Sequence, residues 1–268
     1  LFLVGARVGD RAVKTPLALE KTTKIIHIDI DPAEIGKNIG ADLPLVGDAK
    51  LVLQQMTELA KPMKHDEWIA HIKTLGGERK YVEPAKGTVN PRVFIDRLAK
   101  KMPANVTVVA DVGQNQIWTC TEYKFRKEGR LLTSGGMGTM GYSVPAAIGA
   151  KMADNSRATV AICGDGAFQM SFMELATAVQ FGVDIKVVVM TNNRLGMVRE
   201  LQTNGYHDRQ TAVFLDGSPD FIKLAEAYGI PAMRVYDDAT MEKGVEMLAE
   251  HKGICLVEVV VDKDMPTL

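Results

Sequence analysis

Neither sign of charge prevails in this sequence. Thirty-two Lys and Arg stand against 33 Asp and Glu, for a formal net charge of -1, so nothing electrostatic draws the chain to nucleic acid or to an anionic membrane surface. Cysteine is scarce. The three that occur, Cys120, Cys163 and Cys255, lie far apart with no CxxC pair, which argues against a disulfide framework or a thiolate zinc site and fits reduced thiols in a cytoplasmic protein. Long apolar runs are missing as well. The longest, around KVVVMT at 186–191, has the length of a strand and falls far short of the roughly 20 residues that cross a bilayer. The five histidines, His27, His65, His71, His207 and His251, share no metal-type spacing. There is no internal repeat, no low-complexity tract and no signal or transit peptide pattern. An initiator Met is absent too: the chain opens on LFLVGARVGD, an apolar strand with no lead-in, and reads as cut from a longer polypeptide.

What is present is 268 residues, 46% hydrophobic and 24% charged, the composition of a folded globular protein. Residues 1–60 read as strand, loop, strand, helix. LFLVG and KIIHIDID are strands, Asp31-Pro32 opens a helix over AEIGKNIG, and Asp48 caps a helix through Ala60. This is the last third of a doubly wound domain. Residues 61–89 form a connector, in which Lys61-Pro62 breaks the helix, HDEWIAHIKTLGGERK gives a short charged helix and VEPAKGTVNP is extended.

From Asn90 onward strand and helix alternate regularly. NPRVFIDRLAKKM is a helix capped by Asn90, and VTVVAD, RATVAIC, DIKVVVMTN, MRVYD and ICLVEVVV are strands. SVPAAIGAKMA, FMELATAVQFG, GMVRELQ, DFIKLAEAYG and ATMEKGVEMLAEH are helices. Near-continuous apolar strands signal a parallel sheet covered on both faces. The fold class is α/β, an open parallel sheet with helices on both faces over 90–268, preceded by part of a second doubly wound domain. In such sheets ligands sit at the carboxyl ends of the strands. Asp111, Asp165 and Asn192 fall there and should face one rim.

The segment VAICGDGAFQM, Val160 to Met170, carries the chemistry. Taken alone, GDG is a tight strand-to-helix turn with Asp165 capping the helix. Asn192 stands 27 positions later, at the end of the next strand, so a carboxylate and an amide oxygen lie about one strand spacing, roughly 5 Å, apart. Both are hard oxygen donors suited to a Mg²⁺-class cation. Gly164 and Gly166 allow a close approach of a bulky anion, and Gly196 opens a second helix N-terminus toward the same rim. Two helix ends and a divalent cation make a site for a diphosphate. A competing pattern, Gly136-x-Gly138-x-x-Gly141, is formally a dinucleotide fingerprint, but RLLTS before it is a poor strand and Asp165 is better explained as a ligand. Met170 and Met173 sit at helical spacing and read as packing.

The combination of GGMGTMGYSVPAAIGAKMA, GDGAFQMSFMELATAVQFG, NNRLGMV and SPDFIKLAEAYGI resembles the catalytic subunit of the acetolactate (acetohydroxyacid) synthases, which are thiamine-diphosphate enzymes. IIHIDIDPAEIGKNIGADLPLVGD resembles the end of that family's central, flavin-binding domain. The resemblance implies Mg²⁺ bound by Asp165, Asn192 and the backbone carbonyl of Arg194. It implies thiamine diphosphate contacted by Gly113, Gln114 and Asn115, by Gly164, Gly166 and Ala167, and by Leu195, Gly196 and Met197. Met140 would buttress the bent cofactor as the catalytic-site apolar residue. Gly5, Arg7 and Asp29 would face FAD where flavin is kept.

The implied reaction is decarboxylation of pyruvate and transfer of the two-carbon unit to a second 2-oxo acid, pyruvate or 2-oxobutyrate. Homodimers or tetramers, and a regulatory small subunit, are the partners it implies. Three departures stand out. The family's cofactor-activating Glu lies in a preceding domain that this sequence does not include, so the polypeptide alone is expected to be inactive. Leu201 stands where the synthases usually carry Trp, which leaves the acceptor open, and Asn115 stands where they usually carry His. Glyoxylate carboligase, sulfoacetaldehyde acetyltransferase and oxalyl-CoA decarboxylase share the same cofactor residues. A diphosphate-binding module without catalysis is the non-enzyme alternative.

Overall fold

A computed structural model describes residues 1–9, 12–13, 15–75 and 81–267. They fall into two compact units, Leu1–Glu78 and Arg79–Leu268. The first contains β1 (Phe2–Val4), α1 (Pro16–Thr22), β2 (Ile26–Asp29), β3 (Leu43–Val46), α2 (Ala49–Leu59) and α3 (Asp66–Leu75). Its three strands are parallel in the order β1-β2-β3. Asp48 caps α2 by accepting from the Leu51 amide at 3.1 Å. The core is small, with Leu3, Val8, Ile25 and Ile39 at its centre, and neither α2 nor α3 buries a residue.

Three expectations change here, the first being the loop read between the two opening strands, which contains α1 with Pro16 at its first position. Residues 32–39 form successive turns rather than a helix, with Glu34 N–H bonded to the Asp31 carbonyl and Lys37 N–H to that of Glu34. The segment is short and Gly36 takes a left-handed φ of 79°, which stops an α-helix after one turn. The helix expected over HDEWIAHIKTLGGERK runs from Asp66 to Leu75, and its last five positions, 76–80, lie outside the described residues.

The second unit contains α4 (Pro91–Lys101), β4 (Thr107–Ala110), α5 (Gln114–Glu122), β5 (Arg130–Thr133), α6 (Ser143–Ala153), β6 (Thr159–Gly164) and α7 (Asp165–Gln169). After a single 3-10 turn come α8 (Leu175–Gln180), β7 (Lys186–Thr191), α9 (Gly196–Gly205), α10 (Phe221–Ala227), β8 (Ala232–Val235), α11 (Asp238–Glu250) and β9 (Cys255–Val260). All six strands are parallel, in the order β5-β4-β6-β7-β9-β8.

The pleat sends alternate residues to opposite faces. Val188 and Met190 join a core with Phe94, Leu98, Trp118 and Leu248. Val187 and Val189 join the other, with Phe168, Leu175 and Phe221. Both faces are therefore covered, which is why the central strands read as unbroken apolar runs. RLLT, a weak strand by sequence, becomes the edge strand β5 through its pairing with β4. Among the described residues no helix is long and apolar enough to cross a membrane.

Candidate functional site

The adjacency of β4, β6 and β7 puts Asp111, Asp165 and Asn192 on one rim, each just past the carboxyl end of its strand. The two carboxylates are used differently. Asp111 is fully buried. One oxygen accepts from the amides of Val112 at 2.8 Å and Gly141 at 3.0 Å, and the other from Ser143 at 2.7 Å. It pins the glycine-rich loop that carries Met140 against the sheet, and it does not line the cleft.

Asp165 is also buried, but it faces the cleft. Its oxygens accept from the amides of Gly166 at 2.8 Å, Asn192 at 3.1 Å and Asn193 at 2.6 Å. Burial pushes its carboxyl up to about 6 against the opposing pull of these three amides. A cation beside it would reverse that balance.

Asn192 turns its side-chain oxygen to the Arg194 amide at 3.0 Å. The loop from Asn193 to Leu195 is held from outside. The Asn193 carbonyl accepts from Leu215 N–H at 3.0 Å, and the Leu195 amide donates to Val213 at 2.8 Å. The Arg194 guanidinium meets Asp216 at 2.8 Å and stacks 4.6 Å from the centre of the Phe214 ring.

These groups open onto a cleft with about 590 Å³ of empty space, part of it open to solvent. Every residue expected from this half of the chain lines it: Gly113, Gln114, Asn115, Met140, Gly164, Asp165, Gly166, Ala167, Asn192, Arg194, Leu195, Gly196 and Met197. The glycines keep its floor open. A Cβ on Gly166 would come within 2.7 Å of a Leu195 methyl and 3.4 Å of the Met140 methyl.

The side-chain amide hydrogens of Gln114 and Asn115 are bonded within the protein. Asn115 donates its amide hydrogens to the carbonyls of Asp111 at 2.8 Å and Ile162 at 3.2 Å. Its oxygen faces Gly113 and Gly164. Gln114 donates to Met265 and Thr267.

Gly5, Arg7 and Asp29 belong to the first unit, near the carboxyl ends of β1 and β2. The Asp29 carboxylate accepts from Asp31 N–H at 2.9 Å, and Asn38 holds the Arg7 carbonyl at 2.7 Å. Met170 and Met173, expected as packing, are more than half exposed. Leu201 lies on the exposed face of α9. Four lining residues were missed, Val112, Trp118, Met190 and Val198. Trp118 lies four after Gln114 and Val198 two after Gly196, and only the recognition of α5 as a helix would have found Trp118.

Comparison with known proteins agrees with this geometry. A family model described as thiamine pyrophosphate enzyme, C-terminal TPP binding domain, matches residues 111–259, and one described as thiamine pyrophosphate enzyme, central domain, matches residues 1–56. The chain is 36% identical over 262 residues to the acetolactate synthase large subunit of Lactococcus lactis subsp. lactis, covering 97% of this chain and 45% of that protein. It is 38% identical over 274 residues to a probable acetolactate synthase large subunit of Methanocaldococcus jannaschii, with 98% and 46% covered. With the acetolactate synthase isozyme 3 large subunit of Escherichia coli it shares 35% over 274 residues, with 98% and 48% covered. The chain thus spans about half the length of the curated relatives it matches. On the family match over more than half its length, and on the cleft that match encloses, the chain belongs to the thiamine pyrophosphate enzymes.

Proposed function

We propose that the cleft holds thiamine diphosphate through Mg²⁺, and that the chain is the C-terminal part of an acetolactate synthase catalytic subunit. The observation that carries the reading is the buried Asp165 carboxylate, lifted to about 6, beside the Asn192 amide on the adjacent parallel strand. Among the described residues no three His, Cys, Asp or Glu side chains gather as a metal cage. One carboxylate with amide and carbonyl oxygens is the donor set of a Mg²⁺ that completes its shell with phosphate oxygens and water.

Asp165, the Asn192 side-chain oxygen and the Arg194 carbonyl are the proposed ligands. The Arg194 carbonyl suits this role because its neighbours Asn193 and Leu195 direct their groups to the 213–215 segment. Alternate backbone groups then turn the opposite way. Backbone amides of Ala167, Gly196 and Met197, at the starts of α7 and α9, face the diphosphate, and Gly166, whose amide is held by Asp165, touches it by its bare backbone. Gly113, Gly164 and Leu195 close the cradle, and Met140 supplies the apolar buttress. When bound, the thiazolium supplies an electron sink for the carbanion left by decarboxylation of a 2-oxo acid. The chain's residues fix position and keep an apolar wall around the reacting centre.

Pyruvate as donor, and pyruvate or 2-oxobutyrate as acceptor, are the proposed substrates in branched-chain amino acid biosynthesis in the cytoplasm. Homodimers or tetramers with a regulatory small subunit are the proposed assembly. Residues 1–60 are the proposed end of a central domain, where Gly5, Arg7 and Asp29 would meet FAD. Residues 61–89 are the connector and 90–268 the cofactor domain. One departure favours a second reading, a related carboligase or decarboxylase: Leu201 is non-aromatic where the synthases carry Trp. Competition between pyruvate and 2-oxobutyrate in the full polypeptide separates the two.

The cofactor reading is tested on the chain itself. Trp118 lines the cleft at 1% exposure, so thiamine diphosphate with Mg²⁺ should quench its emission. Asp165→Asn should weaken that binding about a hundredfold, the upper end of the scale for a lost metal-site group. No quench at millimolar cofactor, or an undiminished quench in the variant, overturns the reading.

A further inference from the structure

Residues 213–218 run along the outside of the proposed cation site and grip both of the turns that form it. At one turn, Arg194 and Phe214 form an isolated antiparallel bridge. Leu195 N–H bonds the Val213 carbonyl at 2.8 Å, and Leu215 N–H bonds that of Asn193 at 3.0 Å. At the other turn, Gln169 of α7 donates to Ser218 Oγ at 3.1 Å, and that hydroxyl donates to the Leu215 carbonyl at 2.7 Å. Leu215 packs over the same turn, since a Cβ on Gly166 would lie 3.2 Å from its methyl.

The Arg194 side chain adds a grip of its own. Nη1 donates to Asp216 Oδ1 at 2.8 Å and to the Asn193 carbonyl at 2.7 Å, and the guanidinium carbon lies 4.6 Å from the centre of the Phe214 ring. Only 17% of the side chain is exposed, so stacking and charge act together on a partly desolvated group. The preceding residue, Asn193, takes a left-handed φ of 53°, a conformation that persists where its surroundings impose it. What the grip controls is the direction of one carbonyl. The groups flanking Arg194 are committed to Val213 and Leu215, so its own carbonyl turns the opposite way, and Arg194 lines the cleft. For that carbonyl to swing, the Arg194 backbone must rotate, and the contacts of its guanidinium oppose the rotation.

We propose that the Arg194 side chain is a positioning group: by holding Phe214 and Asp216 it keeps the 213–218 strap on the loop and the Arg194 carbonyl toward the cation, while Gln169 and Ser218 tie the same strap to the Asp165 turn. The inference rests on the reading that Asp165 and the Arg194 carbonyl hold Mg²⁺. A guanidinium acting through its charge alone would have the opposite effect, because it repels a nearby cation and its removal would tighten Mg²⁺ binding.

Two titrations of Trp118 quenching test it, one of Mg²⁺ at saturating thiamine diphosphate and one of thiamine diphosphate at saturating Mg²⁺. Arg194→Met keeps an unbranched apolar stem and loses both grips. It should raise the half-saturating Mg²⁺ about tenfold, the usual scale for a group that orients a metal ligand, and leave the cofactor titration within about twofold. Phe214 and Asp216 are half or more exposed, so Phe214→Leu and Asp216→Asn probe the grip without disturbing a core. Each should raise the half-saturating Mg²⁺ about threefold, the scale of one exposed cation–π contact or ion pair. Neither should add to the loss in an Arg194→Met background, where the grip is already gone. The proposal is overturned if Arg194→Met leaves the Mg²⁺ midpoint unmoved or lowers it, or weakens the cofactor at saturating metal. It is overturned equally if Phe214→Leu and Asp216→Asn cost as much in the Arg194→Met background as in the unmodified chain. These results leave the cation reading standing, whereas absence of any Mg²⁺-dependent quench in the unmodified chain overturns both.

Discussion

Two buried aspartates on one rim do opposite work, and the difference lies in what surrounds each oxygen. Asp111 commits its carboxylate to Val112, Gly141 and Ser143 and so fixes the position of a loop. Asp165 has comparable backbone partners but faces the cleft, and burial holds it at about 6 against an ordinary 3.8. A folded-state value above the unfolded one means that the native state takes up the proton first. Without a cation the ionised Asp165 therefore costs about 3 kcal/mol above pH 6, a cost that disappears as the pH falls toward 3.8. Asp165→Asn removes that cost while losing about one hydrogen bond. Asp111→Asn breaks bonds that hold the loop, at about 1–3 kcal/mol for each amide left unpaired. In the cofactor-free chain at about pH 7.5, well above the Asp165 value, Asp111→Asn should lower Tm clearly more than Asp165→Asn, although only the latter faces the cleft. Thermal unfolding of both variants followed by circular dichroism checks this, and the reverse order would mean that the Asp165 charge is not destabilising.

At the scale of elements, much of the architecture is legible because its signals are local. Asn90 and Asp48 cap α4 and α2 where an oxygen-bearing side chain precedes an apolar period. The apolar runs of β6 and β7 are buried on both faces, and their adjacency brings Asp165 beside Asn192. Helix α5 is not legible. Its QNQIWTCTE sequence buries Gln114, Asn115, Thr119 and Glu122, polar residues that break an apolar period. The partners of Gln114 lie 151 and 153 positions away in sequence, at Met265 and Thr267. Met170 and Met173 mislead for the opposite reason, since helical spacing marks a face without saying what covers it. The turn into α5 has one strict requirement. Gly113 takes φ 144°, and a Cβ there would lie 2.7 Å from the Asn115 side-chain oxygen. Gly113→Ala should therefore destabilise the second unit by about 1–3 kcal/mol. It should also release Asn115 from the Asp111 and Ile162 carbonyls. An unchanged Tm would show that the turn adapts at little cost.

At the scale of the whole molecule, the two units differ in how much core each owns. The second unit has an apolar layer on each face of a six-stranded sheet. In the first, four buried apolar residues centre the core and, among the described residues, none of the three helices buries one. A core that small rarely supplies more than about 3–5 kcal/mol, whereas one the size of the second unit's unfolds as a cooperative block. Calorimetry of the chain should therefore resolve a weak lower transition and a strong upper one. Every residue of the proposed cation and diphosphate site lies in the second unit, and a ligand stabilises only the unit that binds it. At about a hundred times its Kd, thiamine diphosphate with Mg²⁺ adds about 2.7 kcal/mol, which for a unit of this size raises the upper transition by roughly 5–10 °C. The lower transition should stay where it was. A shift confined to the lower transition would place the cofactor in the three-stranded unit. Thiamine diphosphate without a divalent cation should move neither transition appreciably, because the diphosphate would then bring its charge beside an uncompensated Asp165.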